Sequence, residues 1–483
     1  MLRATRTAKA SARRPVAKLR MPAPAGVVWS GDDGLYLRAD ADRFGYSDGA
    51  EVEQRLYAVV ATARDRGTFS PELLAAIVDW PSEYHLSRSR HALLRPLEIR
   101  PGQRVLELGC GCGAITRYLG EIGAQVVAVE GSLARARVAA QRCRDLANVC
   151  VVADDLSRFS IDATFDWVLL VGVLEYAGLF ATDIQDPDLA YLRSAAKSLA
   201  PGGRLVVAIE NRLGLKYFSG IGEDHLGQPY IGIEGRYATA GPRTYGRREL
   251  ESRLHAAGLQ SATFLFPYPD YKLPSVVLAD DAFQQEGFNP ADMLARSFAR
   301  DYGGQDAAAF NEALVAASLV RNGIAADLSN SFLVVAQRKG GYRPSRLAWT
   351  FGVQRNAQYA TQTAFAVRAG RIRVERRAVG GADACPVVLD GLELRHSLEV
   401  GRYLSGENFV WRILRAKADG ASAEQIANVL QPWARKLIEA AAESKAQVSG
   451  RALADLRVPG SLVDAVPFNL ILTSDGAEWI ANL

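Results

Sequence analysis

Residues 104–116, RVLELGCGCGAIT, hold the groups best suited to gripping a nucleoside. The apolar run 105–108 is bounded by polar residues and reads as a strand buried on both faces. Gly109, Gly111 and Gly113 follow at alternate positions, and glycine lets the chain turn sharply and a ligand approach the main chain. The stretch 115–121 is amphipathic and reads as a helix. A strand that turns through glycines into a helix is a nucleotide-site geometry. Acids accompany it. Glu107 sits inside the strand, and Glu130 closes a second apolar run, 125–130, just before Gly131. At that spacing a carboxylate can accept both hydroxyls of a ribose. A third run, 149–155, ends in Asp154 and Asp155. For bond-making, His225 stands out beside Glu223 and Asp224. An imidazole titrates near neutrality and a carboxylate can fix its tautomer. Such a group can take the proton of a hydroxyl nucleophile, or it can brace a loop through hydrogen bonds.

Two ligands compete for the glycine turn. Residues 109–114 fit the dinucleotide pattern G-x-G-x-x-A. The fuller pattern E-x-G-x-G-x-G over 107–113 resembles the first motif of class I S-adenosylmethionine (SAM) methyltransferases. SAM carries no phosphate and a cationic sulfonium, which suits the acid in the strand. The resemblance implies that Glu107, Gly109, Cys110, Gly111, Gly113, Glu130 and Gly131 bind the cofactor. It also implies that Asp154 accepts from the adenine amino group, with Asp155 beside it. A fourth run, 165–176, carries Gly172 into the loop beside the methyl donor, where Glu175 and Tyr176 could line the pocket. A turn and fifth strand cover 199–209. The segment 84–96 reads as a helix covering the cofactor, where Arg90 or Arg88 could pair with the methionine carboxylate. The implied fold is α/β: a Rossmann-like seven-stranded class I methyltransferase sheet with insertions.

Composition agrees with a globular protein. The chain has 483 residues, 49% hydrophobic and 23% charged, so two or three domains are expected. No apolar run is long enough to span a membrane, and residues 1–5 lack the apolar core of a secretory signal, so neither a transmembrane helix nor a secretory leader is expected. Five cysteines are irregularly spaced. Cys110 and Cys112 lie inside the glycine turn, where metal ligation would obstruct the nucleotide, so no metal site is expected and a reducing cytoplasm is implied. Net charge is +4, yet residues 1–22 carry seven basic residues and no acid, leaving −3 elsewhere. That tail cannot build a core and reads as disordered, with at most peripheral contact to anionic lipid at the inner membrane. It lacks interleaved aromatics and the remainder is acidic, so specific nucleic-acid binding is not expected.

After the fifth strand the spacing departs from a minimal methyltransferase. Residues 210–260 are dense in acids, aromatics and glycines, and about 65 residues separate a sixth strand at 262–266 from a seventh at 331–337. Long connections at a strand's carboxyl end are usually functional, so both insertions (210–260 and 267–330) read as a substrate cap. The segments YHLS (84–87), LELGCGCGAITRYLG (106–120), GVLEY (172–176), IENRLGLKYF (209–218), EDH (223–225) and PYPDYKLP (267–274) resemble a group of bacterial SAM-dependent methyltransferases encoded with cell-surface polysaccharide genes. That resemblance implies O-methylation of a sugar on an O-antigen, capsule or related glycan. It also implies a glycan or lipid-linked glycan acceptor and glycosyltransferase partners. His225, oriented by Asp224 or Glu223, is then the candidate base, and Tyr217, Tyr230 and Tyr237 could stack on sugar faces. The alternatives are a small-molecule or lipid methyltransferase, or a binding or scaffold protein that keeps the fold.

The expected organisation is a basic tail (1–25), an N-terminal cap (26–98), the methyltransferase domain (99–340) and a C-terminal α+β domain (341–483). Asp464 and Asn469 have the spacing of a kinase catalytic loop. Asn482 stands where a metal-binding acid would fall, and no lysine occupies the strand 371–378. A neutral amide is a poorer magnesium ligand than a carboxylate. This part resembles a degenerate kinase-like module, expected to serve docking or structure.

Overall fold

In a computed structural model, residues 21–41, 47–180, 184–238, 241–294, 297, 299–302, 308–380, 387–389, 392–394, 398, 400–443 and 459–480 are described. The basic residues up to Arg20, Cys385 and Asn482 lie outside them.

The first strands are β1 (Val28–Ser30), β2 (Leu35–Leu37), β3 (Arg104–Leu108), β4 (Gln125–Glu130), β5 (Val149–Ala153), β6 (Phe165–Val171) and β7 (Leu199–Glu210). From β2 to β7 they pair in parallel, in the order β2-β5-β4-β3-β6-β7. The apolar runs have no polar alternation because both faces are covered. Leu106 and Val127 enter one hydrophobic cluster, while Val105 and Val126 enter the other. Next come β8 (Ser261–Tyr268), β9 (Val276–Ala279) and β10 (Ser331–Gln337). β10 lies antiparallel between β7 and β8, so the seven expected strands form the core sheet.

The sheet does not stop there. Strands β11 (Ala348–Gly352), β12 (Thr361–Arg368) and β13 (Arg371–Ala378) continue it through β9. Ala348 and Phe365 join one core cluster, Trp349 and Ala364 the other. The domain boundary expected at residue 341 therefore falls inside one continuous sheet. Residues on both sides of Gly340-Gly341 share the same two core clusters, so the packing across it is continuous. β14 (Val387–Leu389) pairs with β15 (Leu392–Leu394), and β16 (Gly401–Arg402) adds to β13. A smaller sheet of β17 (Glu407–Asn408), β18 (Leu470–Thr473) and β19 (Gly476–Trp479) follows.

Helices α1 (Ala50–Thr62), α2 (Pro71–Ala75) and α3 (Trp80–Leu86) form the N-terminal cap. The single helix expected over 84–96 is broken. α3 ends at an extended Ser87, and two 3₁₀ turns follow at Arg90–Leu93 and Arg95–Leu97. Pro96 lacks the N–H a helix interior requires. α4 (Ala114–Glu121) and α5 (Leu133–Cys143) follow β3 and β4. Next come α6 (Ala177–Phe180), α7 (Pro187–Lys197), α8 (Leu215–Phe218), α9 (Arg247–Ala256), α10 (Pro290–Leu294) and α11 (Glu312–Arg321). Near the C-terminus, α12 (Val410–Ala418) and α13 (Ala423–Glu443) pack against each other. Val410 and Trp411 of α12 share a buried cluster with Ala291 and Ala313.

Candidate active site

The carboxyl ends of β4, β3 and β6 lie side by side and open into a cavity of about 260 Å³. Gly131, the turn Gly109–Cys110–Gly111, and Gly172 line it from three adjacent strands. This is the crevice where α/β sheets bind ligands. Gly109 is left-handed (φ 80°), and a side chain there would meet Val173 Cγ2 at 2.3 Å. Glu130 also lines the cavity and is buried. Its Oε2 accepts from the Gly111 amide at 2.7 Å and its Oε1 from the Ser132 amide at 3.0 Å. Each oxygen keeps a second lone pair for a ribose hydroxyl. Burial pushes the Glu130 carboxyl above its ordinary range, while Arg135 and the two amides pull it back. Glu107 lines the floor, accepting from the Thr116 hydroxyl at 2.7 Å. Burial raises its pKa to about 8, and a cation bound beside it would favour its ionised form.

Arg90 lines the cavity too, donating to the Lys272 carbonyl at 2.7 Å and lying 4.2 Å over the Tyr84 ring. Arg88 is turned away, with its guanidinium on the carbonyls of Arg355 and Phe69.

Three expected cofactor residues have other roles. Asp154 is fully buried in a two-point ion pair with Arg38, at 2.5 and 2.7 Å, and does not line the cavity. Arg38 follows β2, whose addition beside β5 was not read from the sequence, so the competing partner was not visible. Asp155 instead holds the backbone N–H and hydroxyl of Ser157, and the apolar Leu156 reaches the cavity. Gly113 (φ 74°) is a packing glycine. An added Cβ would lie 2.9 Å from the Ala139 Cα, where α4 meets α5. Gly113→Ala is expected to cost about 1–3 kcal/mol of stability, checked by the urea midpoint.

The other end of the cavity is walled by Trp80, Tyr84, Tyr176, Phe180 and Tyr271, with His225, Asp224 and Lys272 among them. The His225 side chain is only 5% exposed, but neither expected carboxylate orients its ring. Adjacent side chains on this loop point apart. Glu223 accepts from the backbone amides of His225 and Leu226, both at 2.9 Å, and it does not line the cavity. Asp224 is held by Lys216 at 2.7 and 2.9 Å and by Lys272 at 2.5 Å. The orienting carboxylate is Glu210, at the carboxyl end of β7, whose Oε2 lies 3.3 Å from His225 Nε2. Its other oxygen accepts from the Lys272 ammonium. The Tyr176 hydroxyl lies 3.0 Å from His225 Nδ1.

Burial opposes charge on His225, but the Glu210 carboxylate outweighs it and raises the pKa to about 9. Despite burial, Lys272 and His225 hold Glu210 well below its usual range. Burial, with Glu210 nearby, lifts Glu175 to about 8. Glu175, Glu210 and His225 also bring possible metal-ligand atoms within 4.8 Å of one another. The Lys272 ammonium already supplies a cation to Glu210 there. Lys272 and Asp48, which joins His85 at 2.9 Å and Arg135 at 2.5 Å, were missed in the sequence. Lys272 lies in the quoted segment PYPDYKLP, whereas Asp48 lies in none of the quoted segments and only its partner His85 falls in YHLS. Of the tyrosines expected to stack on sugars, Tyr217 is buried and Tyr230 is exposed, while Tyr237 bonds Thr244. None of the three lines this cavity.

A methyltransferase-domain family model matches residues 106–205, the segment from β3 into β7 that builds the cofactor side of this cavity. The chain carries a class I SAM-dependent methyltransferase domain. Over 118 residues this domain is 33% identical to a demethylmenaquinone methyltransferase of Tropheryma whipplei, covering 24% of this chain and 46% of that protein. A ubiquinone biosynthesis O-methyltransferase of Chelativorans is 29% identical over 201 residues, covering 40% of this chain and 70% of its own. The chain spans about half the length of the first of these. A solved phosphoethanolamine N-methyltransferase 2 of Haemonchus contortus, in complex with SAM, aligns over 53% of this chain and 56% of its own. Its identity is 18% and its TM-score 0.32. The residues of the methyltransferase domain fit SAM. Glu130 has free lone pairs for the ribose, Leu156 and Ile115 offer apolar contact, and Arg90 offers a guanidinium to the carboxylate. Glu130→Ala is expected to weaken SAM binding by about 1.5–3 kcal/mol. Calorimetric titration checks this, and unchanged affinity would remove Glu130 from the site.

Proposed function

We propose that this chain transfers a methyl group from SAM to a hydroxyl of a sugar on a bacterial surface polysaccharide. One observation carries the acceptor class. Five of the six segments that resemble the polysaccharide-linked methyltransferases send a residue to the acceptor end of one cavity or to the cluster behind it, and the sixth, 106–120, supplies the cofactor loop. The five residues are Tyr84, Tyr176, Glu210, His225 and Lys272. Their aromatic rings offer faces to a pyranose and their polar atoms offer partners to its hydroxyls. When bound, SAM supplies an electrophilic methyl: the acceptor oxygen forms the new C–O bond as the C–S bond breaks, its electron pair going to sulfur. The protein must then hold the hydroxyl close, exclude water and receive one proton. His225 is the group with the basicity to receive it, and Glu210 faces the imidazolium that results.

The acceptor is a free or lipid-linked glycan, with glycosyltransferases as working partners. The basic tail would bring the enzyme to the inner membrane surface from the cytoplasm. No helix among the described residues is long and apolar enough to cross a membrane. The C-terminal unit around Asp464 and Asn469 acts as a non-catalytic, kinase-like module. Asn469 donates to the Asp464 carbonyl at 2.8 Å, a brace within the loop. To test the acceptor class, purified chain would be given labelled SAM and surface glycan from cells lacking the gene. Label in the glycan supports the reading. Label only in lipid or small-molecule fractions would overturn it.

A further inference from the structure

Both ring nitrogens of His225 are engaged inside the protein: Nε2 faces Glu210 at 3.3 Å and Nδ1 faces the Tyr176 hydroxyl at 3.0 Å. An acceptor could reach the ring directly only by breaking one of these contacts. Tyr176 lines the cavity and ends a 3₁₀ turn, Leu174–Tyr176, placed by the end of β6 next to Gly172. Its ring meets His225 edge to face at 5.1 Å, and Phe180 flanks its other side at 6.4 Å.

We propose that Tyr176 is the catalytic residue that meets the acceptor hydroxyl and passes its proton to His225. This rests on the methyl-transfer reading above. The acceptor proton moves to Tyr176 Oη as the Tyr176 proton moves to His225 Nδ1. The phenol is regenerated in the same event, and the positive charge rests on an imidazolium opposite Glu210. The relay needs one tautomer: a neutral His225 with its proton on Nε2 and a bare Nδ1. Glu210 selects it, because an ionised carboxylate can only accept. Lys272 keeps Glu210 in that form from the far oxygen. The other titratable groups around the ring are Glu175 beside Tyr176, Glu223 and Asp224 on its own loop, and Tyr271 next to Lys272. Lys216 holds Asp224. Tyr176, Tyr271, Asp224 and Lys272 line the cavity with His225, and among the described residues it is the Tyr176 hydroxyl that bonds Nδ1. A ring with its proton on Nδ1, donating to Tyr176, could only brace the loop and could not accept from the phenol.

Two measurements separate these roles. The full chain, with ¹⁵N-histidine and saturated with S-adenosylhomocysteine, would be titrated by NMR. A His225→Gln spectrum identifies the resonance among five histidines. The relay predicts that neutral His225 carries its proton on Nε2. A proton on Nδ1 would overturn the relay whatever the acceptor is. In the second measurement, Tyr176→Phe is assayed with labelled SAM and surface glycan from cells lacking the gene. Turnover should fall at least 100-fold and lose its rise with pH, while S-adenosylhomocysteine affinity stays within about two-fold. Turnover within about three-fold of wild type, with the same pH profile, would overturn the relay. If wild type itself labels no glycan, the acceptor class falls, while a proton on Nδ1 would still overturn the relay.

Discussion

Replacing Lys272 by methionine is expected to lower folding stability by about 3 kcal/mol. Breaking a buried ion pair by removing one partner costs roughly 3–5 kcal/mol, because the other charge is left desolvated. The Lys272 side chain is 11% exposed, and its partners Glu210 and Asp224 are 0% and 3% exposed. The ammonium also lies near the faces of Tyr271 and Tyr302, at 5.1 and 4.8 Å. The lower end of the range applies because both acids keep a second partner: Lys216 holds Asp224 and His225 faces Glu210. The sign with pH follows from the carboxylates. Burial opposes it, but Lys272 helps depress Glu210 in the folded state. That contribution is fully present above the unfolded glutamate value, about 4.3. It is lost as pH falls through the folded value. The difference between wild type and variant should therefore be complete near pH 7 and shrink below about pH 5. Urea midpoints at both pH values measure it. Equal midpoints at pH 7 would mean that the ammonium is not desolvated between these acids.

The second large effect is on turnover. His225→Gln should reduce kcat by roughly 10²–10⁴-fold, the span for a positioned acid–base group, and leave SAM affinity unchanged. The wild-type pH profile carries the same information. A ring with a pKa of about 9 is mostly protonated at pH 7, and only the neutral ring can accept a proton. Turnover should rise close to tenfold per pH unit through the neutral range and level off near pH 9. A cationic donor bound nearby would move the midpoint down. His225→Gln should lose this rise. A variant that kept both rate and slope would leave His225 as a brace.

Local pattern carried most of the fold. Each core strand is a short apolar run with its own ending signal, such as the glycines after Leu108 or the acid at Glu130, so periodicity and punctuation sufficed. The additions to the sheet were harder. β1 and β2 are three residues each, too short to show a period. The strands after Gly341 read equally well as a separate unit, and only their pairing with β9 joins them to the core. The same contrast runs through the site. Glu130 and Gly172 end strands whose neighbours are fixed by topology, and both reach the cavity. The partner of His225 was sought next to it in sequence. Glu210 lies fifteen residues earlier, on another element, and reaches the ring only because β7 ends beneath the insertion that carries His225. Lys272 comes from yet another connection. The pairing of Asp154 was hidden for the same reason, since its partner Arg38 is 116 positions away. Contacts of that range are set by tertiary structure, and one sequence holds no local trace of them.

The most direct test compares the masses of surface glycans from cells with and without the gene. The deletion is complemented either by wild type or by Glu130→Ala. The account predicts that deletion removes one methyl increment per chain or per repeat. Wild type should restore it and Glu130→Ala should not. Glycan of identical mass in all four strains would contradict glycan methylation by this cavity.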